Sequence, residues 1–97
     1  MNLLITATAG TMESNDIMIT LEPAQSGGIQ ISLTRNVLQQ FGRQIEAVIR
    51  DTLAHYGIEN AEVTAVDKGA LDCTVRARVT TAIFRAAQSD AYEWEVK

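Results

Sequence analysis

Apolar and polar residues alternate along the first third of the chain. Ile17, Ile19 and Leu21 alternate with Asp16, Met18, Thr20 and Glu22, which predicts a half-buried strand. Pro23 and the stretch Gln25-Ser26-Gly27-Gly28 then turn the chain. A second alternation follows, with Ile29, Ile31 and Leu33 on one face and Gln30, Ser32 and Thr34 on the other. Leu3 to Thr8 is expected to form a third strand, with a less regular pattern.

The period changes near Arg35. Val37, Phe41, Ile45, Val48, Ile49, Leu53 and Tyr56 recur at three- and four-residue steps, the apolar stripe of a helix running from about Thr34 to Tyr56. Thr34 is its expected N-cap and Gly57 its stop. Glu46 and Arg50, four apart, support an exposed face. Gly42 should cost about 1 kcal/mol inside the helix, a cost that close packing on a sheet would offset.

Beyond the helix, Ile58 to Val66 reads as a strand, with Ala61, Val63 and Ala65 facing inward. Asp67-Lys68-Gly69 is expected to be a short hairpin turn. Leu71, Cys73, Val75, Ala77 and Val79 alternate with polar residues as another strand, giving way to a helix near Arg78. The tail from Ser89 is expected to be loose, with Trp94 the residue to pin it. The expectation is an α+β fold: a mostly antiparallel sheet packed against one long helix and one shorter C-terminal helix, as a single domain over residues 1–97. A helical bundle would need helical periodicity from the start of the chain, and that is missing.

Composition narrows the function. A chain of 97 residues that is 46% hydrophobic can bury one core. Its net charge of −4 and lack of a Lys/Arg cluster argue against nucleic acid or an anionic membrane as partner. Cys73 is the only cysteine, so no internal disulfide forms, and a reducing, cytoplasmic home is expected. The N-terminus lacks the basic and long apolar regions of a signal peptide, and no segment approaches the length of a membrane span.

Catalytic constellations are scarce. His55 is the single histidine, placed where a helix C-terminus accommodates it on structural grounds. Cys73 falls in the inward phase of its expected strand, where it packs as a small hydrophobe. Asp67 and Asp72 are explained by a turn and a solvated strand face. No metal-ligand cluster and no glycine-rich phosphate loop appears. What remains is Gly10-Thr11-Met12-Glu13-Ser14-Asn15-Asp16, between two strands and with Ser14 at its centre. A serine at a hairpin tip is accessible to covalent modification and could anchor a swinging arm, although Ser, Asn and Asp are also ordinary turn residues.

The segment Gly10-Thr11-Met12-Glu13-Ser14-Asn15-Asp16-Ile17-Met18-Ile19 resembles the modification-site motif of the citrate lyase acyl carrier protein family, the gamma chain. So does Gln40-Phe41-Gly42. The most specific likeness is Val66-Asp67-Lys68-Gly69-Ala70-Leu71-Asp72-Cys73, followed by Arg76-Ala77-Arg78 and Arg85-Ala86. These matches come in the expected order and span nearly the whole chain. Met12 and Asn15 depart from the family's more frequent leucine and glycine. The first exchange conserves volume, and asparagine tolerates left-handed backbone angles.

The resemblance implies a covalent phosphoribosyl-dephospho-coenzyme A group, joined to Ser14 by a phosphodiester and carrying acetyl and citryl thioesters. It implies as partners an alpha (transferase) subunit that exchanges acetyl for citryl, a beta (lyase) subunit that releases oxaloacetate, and a prosthetic-group transferase that installs the arm. The carrier itself breaks no bonds; tethering supplies a high effective concentration. Glu13 and Asp16 flank Ser14, and their charges are expected to repel an arm phosphate into solvent. Two alternatives stand beside this one: the carrier subunit of malonate decarboxylase, which would share arm and fold, and a small-ligand or regulatory module with a concave apolar site and an inert Ser14.

Overall fold

A computed structural model describes residues 2–35 and 42–88. Their elements are β1 (Ala7–Gly10), β2 (Ile17–Pro23), β3 (Ile29–Arg35), α1 (Gly42–His55), β4 (Ala61–Asp67) and α2 (Asp72–Ala86). Val37, Gln40, Phe41 and the tail with Trp94 lie outside the described residues.

The fold is α+β. One four-stranded sheet has the order β1-β2-β4-β3. β1 pairs antiparallel with β2, and β2 with β4, while β3 runs parallel to β4. A parallel neighbour cannot follow a tight hairpin, so the chain crosses over between β3 and β4 through α1. Ile17, Ile19 and Leu21 of β2 and Ala61, Val63 and Ala65 of β4 are buried on one face, which both helices cover.

α1 buries Ile45, Val48, Ile49 and Leu53, as its stripe predicts. It ends where expected: Gly57 takes φ 73°, its amide donates to the Ala54 carbonyl (3.0 Å) and the Ile58 amide to that of Leu53 (2.9 Å). This pair of bonds is the Schellman closure of a helix.

Several expectations change. Thr34 is not a helix N-cap; it lies in β3, which continues to Arg35. β1 occupies Ala7–Gly10, later than the expected Leu3 to Thr8. Asp67-Lys68-Gly69 is not a hairpin turn, because it leads from β4 into α2. The stretch from Leu71 to Val79 is not a strand, since α2 already begins at Asp72 and runs 15 residues, against 14 described for α1. The reason is a shared spacing. Val75, Val79 and Ile83 satisfy a period of two and a helical step of four alike, whereas Ala82 and Ala86 extend only the helical stripe. The helix buries those five residues. It leaves Leu71, Cys73 and Ala77, the residues that favoured a strand, exposed.

Candidate functional site

The β1–β2 connection is an unusually constrained turn. Gly10 has φ 97°, and a Cβ built there would lie 1.9 Å from the carbonyl oxygen of Ile17, so only glycine fits. Asn15 takes φ 66°, in the left-handed region that asparagine tolerates, and the Asp16 amide donates to the Glu13 carbonyl at 3.2 Å. Thr11, Met12, Glu13, Ser14 and Asn15 are exposed. The Ser14 hydroxyl makes no hydrogen bond to any described residue.

Beneath the exposed serine the turn is fastened from two sides. The Asn15 amide donates to the Lys68 carbonyl (2.8 Å), and the Lys68 amide donates to the Asp16 carbonyl (2.9 Å). The loop after β4 thus walls the turn on one side. That loop is itself held by Asp67, whose Oδ1 accepts the amides of Gly69 (3.1 Å) and Ala70 (3.0 Å). Asp67 Oδ2 receives the Arg35 guanidinium at 3.2 Å, and the two side chains are 0% and 4% exposed.

The second fastening is Asp16. Arg78 of α2 donates through Nε to Oδ1 (3.0 Å) and through Nη2 to Oδ2 (2.8 Å), a two-pronged pair. Thr11 Oγ1 donates to Oδ2 at 2.7 Å and the Ile17 amide to Oδ1 at 2.7 Å. Arg78's hydrogen bonds are the main reason that the Asp16 carboxyl is held well below the usual carboxylate range. Thr11 and the Ile17 amide act in the same sense, and burial opposes them. The guanidinium of Arg78 is raised in turn by its bonds to Asp16.

The expected roles shift accordingly. Asp16 does not repel a group on Ser14, because Arg78 neutralises it; Glu13 alone of the two flanking carboxylates is exposed. Asp67 holds the turn that follows it, as expected, through Gly69 and Ala70, and is in addition buried against Arg35. Cys73 does not point inward; it is exposed in the first turn of α2. Asp72 is solvated there, accepting from Gln44 Nε2 at 2.7 Å. His55 lies exposed in the last turn of α1, edge-on to Tyr56. Among the described residues no group of three His, Cys, Asp or Glu side chains could hold a metal.

The residues that brace the turn escaped the sequence reading, although a signal was present. Arg35 continues the inward alternation Ile29, Ile31, Leu33, and Asp67 continues Ala61, Val63, Ala65. Two opposite charges at adjacent register positions in two inward-facing series predict a buried pair. Arg78 falls three residues after Val75 and four before Ala82, at the edge of the α2 stripe.

The model of the malonate decarboxylase delta subunit (MdcD) family matches residues 5–86. The citrate lyase acyl carrier protein of Streptococcus mutans is 52% identical over 95 residues, covering 98% of this chain and 93% of its own. That of Lacticaseibacillus casei is 56% identical over 89 residues (92% and 87%), and that of Klebsiella pneumoniae 49% over 94 (97% and 97%). A chain from the crystal structure of a Pseudomonas malonate decarboxylase hetero-tetramer in complex with malonate has the same fold. Its TM-score is 0.70 at 21% identity, with 84% of each chain covered. Identity near one half over almost the full length, with the Ser14 turn inside the matched span, means that the chain belongs to the citrate lyase acyl carrier protein family.

Proposed function

We propose that this chain is a non-catalytic acyl carrier whose Ser14 Oγ holds a phosphoribosyl-dephospho-coenzyme A arm through a phosphodiester. The observation that carries the proposal is an exposed primary hydroxyl, free of hydrogen bonds to the described residues, on a turn fixed by Gly10, Asp16 and Asp67. Such a site fits a covalently attached group: the hydroxyl is open to an incoming enzyme, and the base beneath it does not swing. In the attachment step, Oγ forms a bond to phosphorus of an activated precursor. The bond from that phosphorus to its leaving phosphate breaks, and the serine proton passes to a base of the installing enzyme. When bound, the group supplies a thiol that carries acetyl and citryl groups between active sites.

The chain's own part is to position and to present. Its partners in this reading are an alpha subunit that transfers acyl groups, a beta subunit that cleaves, and the transferase that installs the arm, all in the cytoplasm. The related reading, a malonate decarboxylase carrier, draws on the family model and on the shared fold. Citrate lyase is favoured because the likeness to its carriers reaches 56% identity, against 21% for the malonate decarboxylase chain.

The test is intact-protein mass spectrometry after exposure to the arm transferase and its precursor. The wild-type chain should gain one arm. Ser14→Ala should gain none, leave the reconstituted complex inactive, and unfold within about 0.5 kcal/mol of wild type, as an exposed turn serine should. An alanine variant that still gains the arm refutes the assignment.

A further inference from the structure

Large apolar side chains are unevenly exposed on the described surface. Leu4 and Ile5 (61% and 44% exposed) lie at one end, where both amides donate to the Ala86 carbonyl at the last residue of α2. Met12 and Leu71 (51% and 70% exposed) belong to the other end, at the site. Met12 is two residues before Ser14 on the same turn. Leu71 immediately precedes α2, two residues beyond Gly69, whose Cβ position would be 3.6 Å from Asn15 Oδ1. The 15 residues of α2 separate the two ends by about 22 Å.

Neither Met12 nor Leu71 joins the core cluster. Leu71 also occupies the N-cap position of α2, where it makes no side-chain cap and a polar residue would serve the helix better. Two carboxylates, Glu13 and Asp72, are exposed beside these apolar groups. The rim of the serine turn therefore carries two apolar side chains and two carboxylates beside the half-buried Lys68, whose backbone bonds the turn, and Arg78 beneath it is paired with Asp16.

We infer that Met12 and Leu71, with Glu13, form the surface by which the arm-installing transferase recognises this carrier. The inference rests on the reading of Ser14 as the attachment site. Two arguments select this occupant over the catalytic subunits. Attachment requires Ser14 Oγ to come within roughly 3–3.5 Å of the reacting phosphorus, so the installing enzyme must enclose the residues next to the serine. A catalytic subunit works at the far end of the arm and need not touch them. The second argument is charge: an active site that holds a phosphate-rich precursor is basic, and Glu13 and Asp72 complement it.

The test measures initial rates of arm incorporation against carrier concentration, by intact-protein mass, for Met12→Gln, Leu71→Gln, Glu13→Lys and Leu4→Gln. Met12→Gln and Leu71→Gln should each lower kcat/KM about tenfold, the scale of one apolar side chain withdrawn from an interface, and should do so through KM. Glu13→Lys should lower it further at low salt than at high salt. Leu4→Gln, equally apolar but at the opposite end, should match wild type. Unchanged thermal melts would show that each variant is folded. Wild-type kcat/KM in both Met12→Gln and Leu71→Gln overturns the inference, as does an equal loss in Leu4→Gln. Both results leave the Ser14 assignment standing, because that fails only if arm mass is gained without Ser14.

Discussion

Two turns of the same sheet make an instructive pair. The Ser14 turn joins β1 to β2, and residues 24–28 join β2 to β3. Both use glycines at positive φ: Gly10 at 97°, Gly27 at 96° and Gly28 at 74°. Their surroundings differ. A Cβ on Gly10 would strike the Ile17 carbonyl, whereas one on Gly27 or Gly28 meets nothing within 4 Å. The second turn is tied down by neutral amide side chains: the Gly28 amide donates to Asn60 Oδ1 (2.9 Å), and Gln30 Nε2 donates to the Gly27 carbonyl (2.7 Å). The first rests on two carboxylates, each held by an arginine. Left-handed glycines therefore do not distinguish a site from a connector. What separates the two turns is the ionic bracing beneath the exposed hydroxyl of the first, which costs desolvation that neutral amide contacts avoid.

The contrast can be broken most forcefully at Asp67. Asp67→Ala removes the carboxylate from a buried guanidinium and the acceptor from two amides, and should cost about 3–5 kcal/mol. Asn60→Ala at the other turn removes one neutral bond and should cost about 1 kcal/mol. Urea unfolding of both variants measures the difference, and equal midpoints would erase the distinction between the turns.

Glycine replacement sharpens the same comparison at a somewhat smaller scale. Gly10→Ala combines a disfavoured φ with a backbone collision and should destabilise by roughly 2–4 kcal/mol. Gly27→Ala meets only the φ penalty, about 1–2 kcal/mol. Arm incorporation should fall in the first variant and stay at wild-type rates in the second.

The smallest effect separates the turns by pH. Asp16 titrates below its unfolded value, so its contribution is present in full above about pH 4 and is lost as pH falls further. Arg78 is 39% exposed, so solvent weakens the pair, and Asp16→Asn should cost about 1–2 kcal/mol at neutral pH. The gap between wild type and variant should narrow on acidification below pH 4. A gap constant from pH 7 to pH 2 would show that the carboxylate's charge does not hold the turn.

Strands β2, β3 and β4 could be read from the sequence because each is amphipathic with period two, whereas the short and less regular β1 starts later than its pattern indicates. The end of α1 was equally legible, since Gly57 supplies the one backbone geometry that stops a helix there. Ser14 stood out by position and by family resemblance. The bracing did not, because Arg35 is 32 residues from Asp67 and Arg78 is 62 from Asp16, and no local pattern pairs side chains at that separation. The start of α2 was misread for a different reason: Val75 and Val79 fit two periods at once, and the exposed Leu71 and Cys73 mimicked an inward strand face.

The sequence by itself determined the class of the fold, the turn that carries the serine and the family to which that turn belongs. These depend on neighbours along the chain, whose periodicity and turn chemistry act within a few residues. Only the tertiary structure decided that β3 lies parallel to β4, that Leu71 stands exposed beside the site, and that Asp16 is a buried counter-ion instead of a repelling charge. Those outcomes depend on which distant groups meet when the helices close over the sheet. A carboxylate's role is set by the partner it meets there.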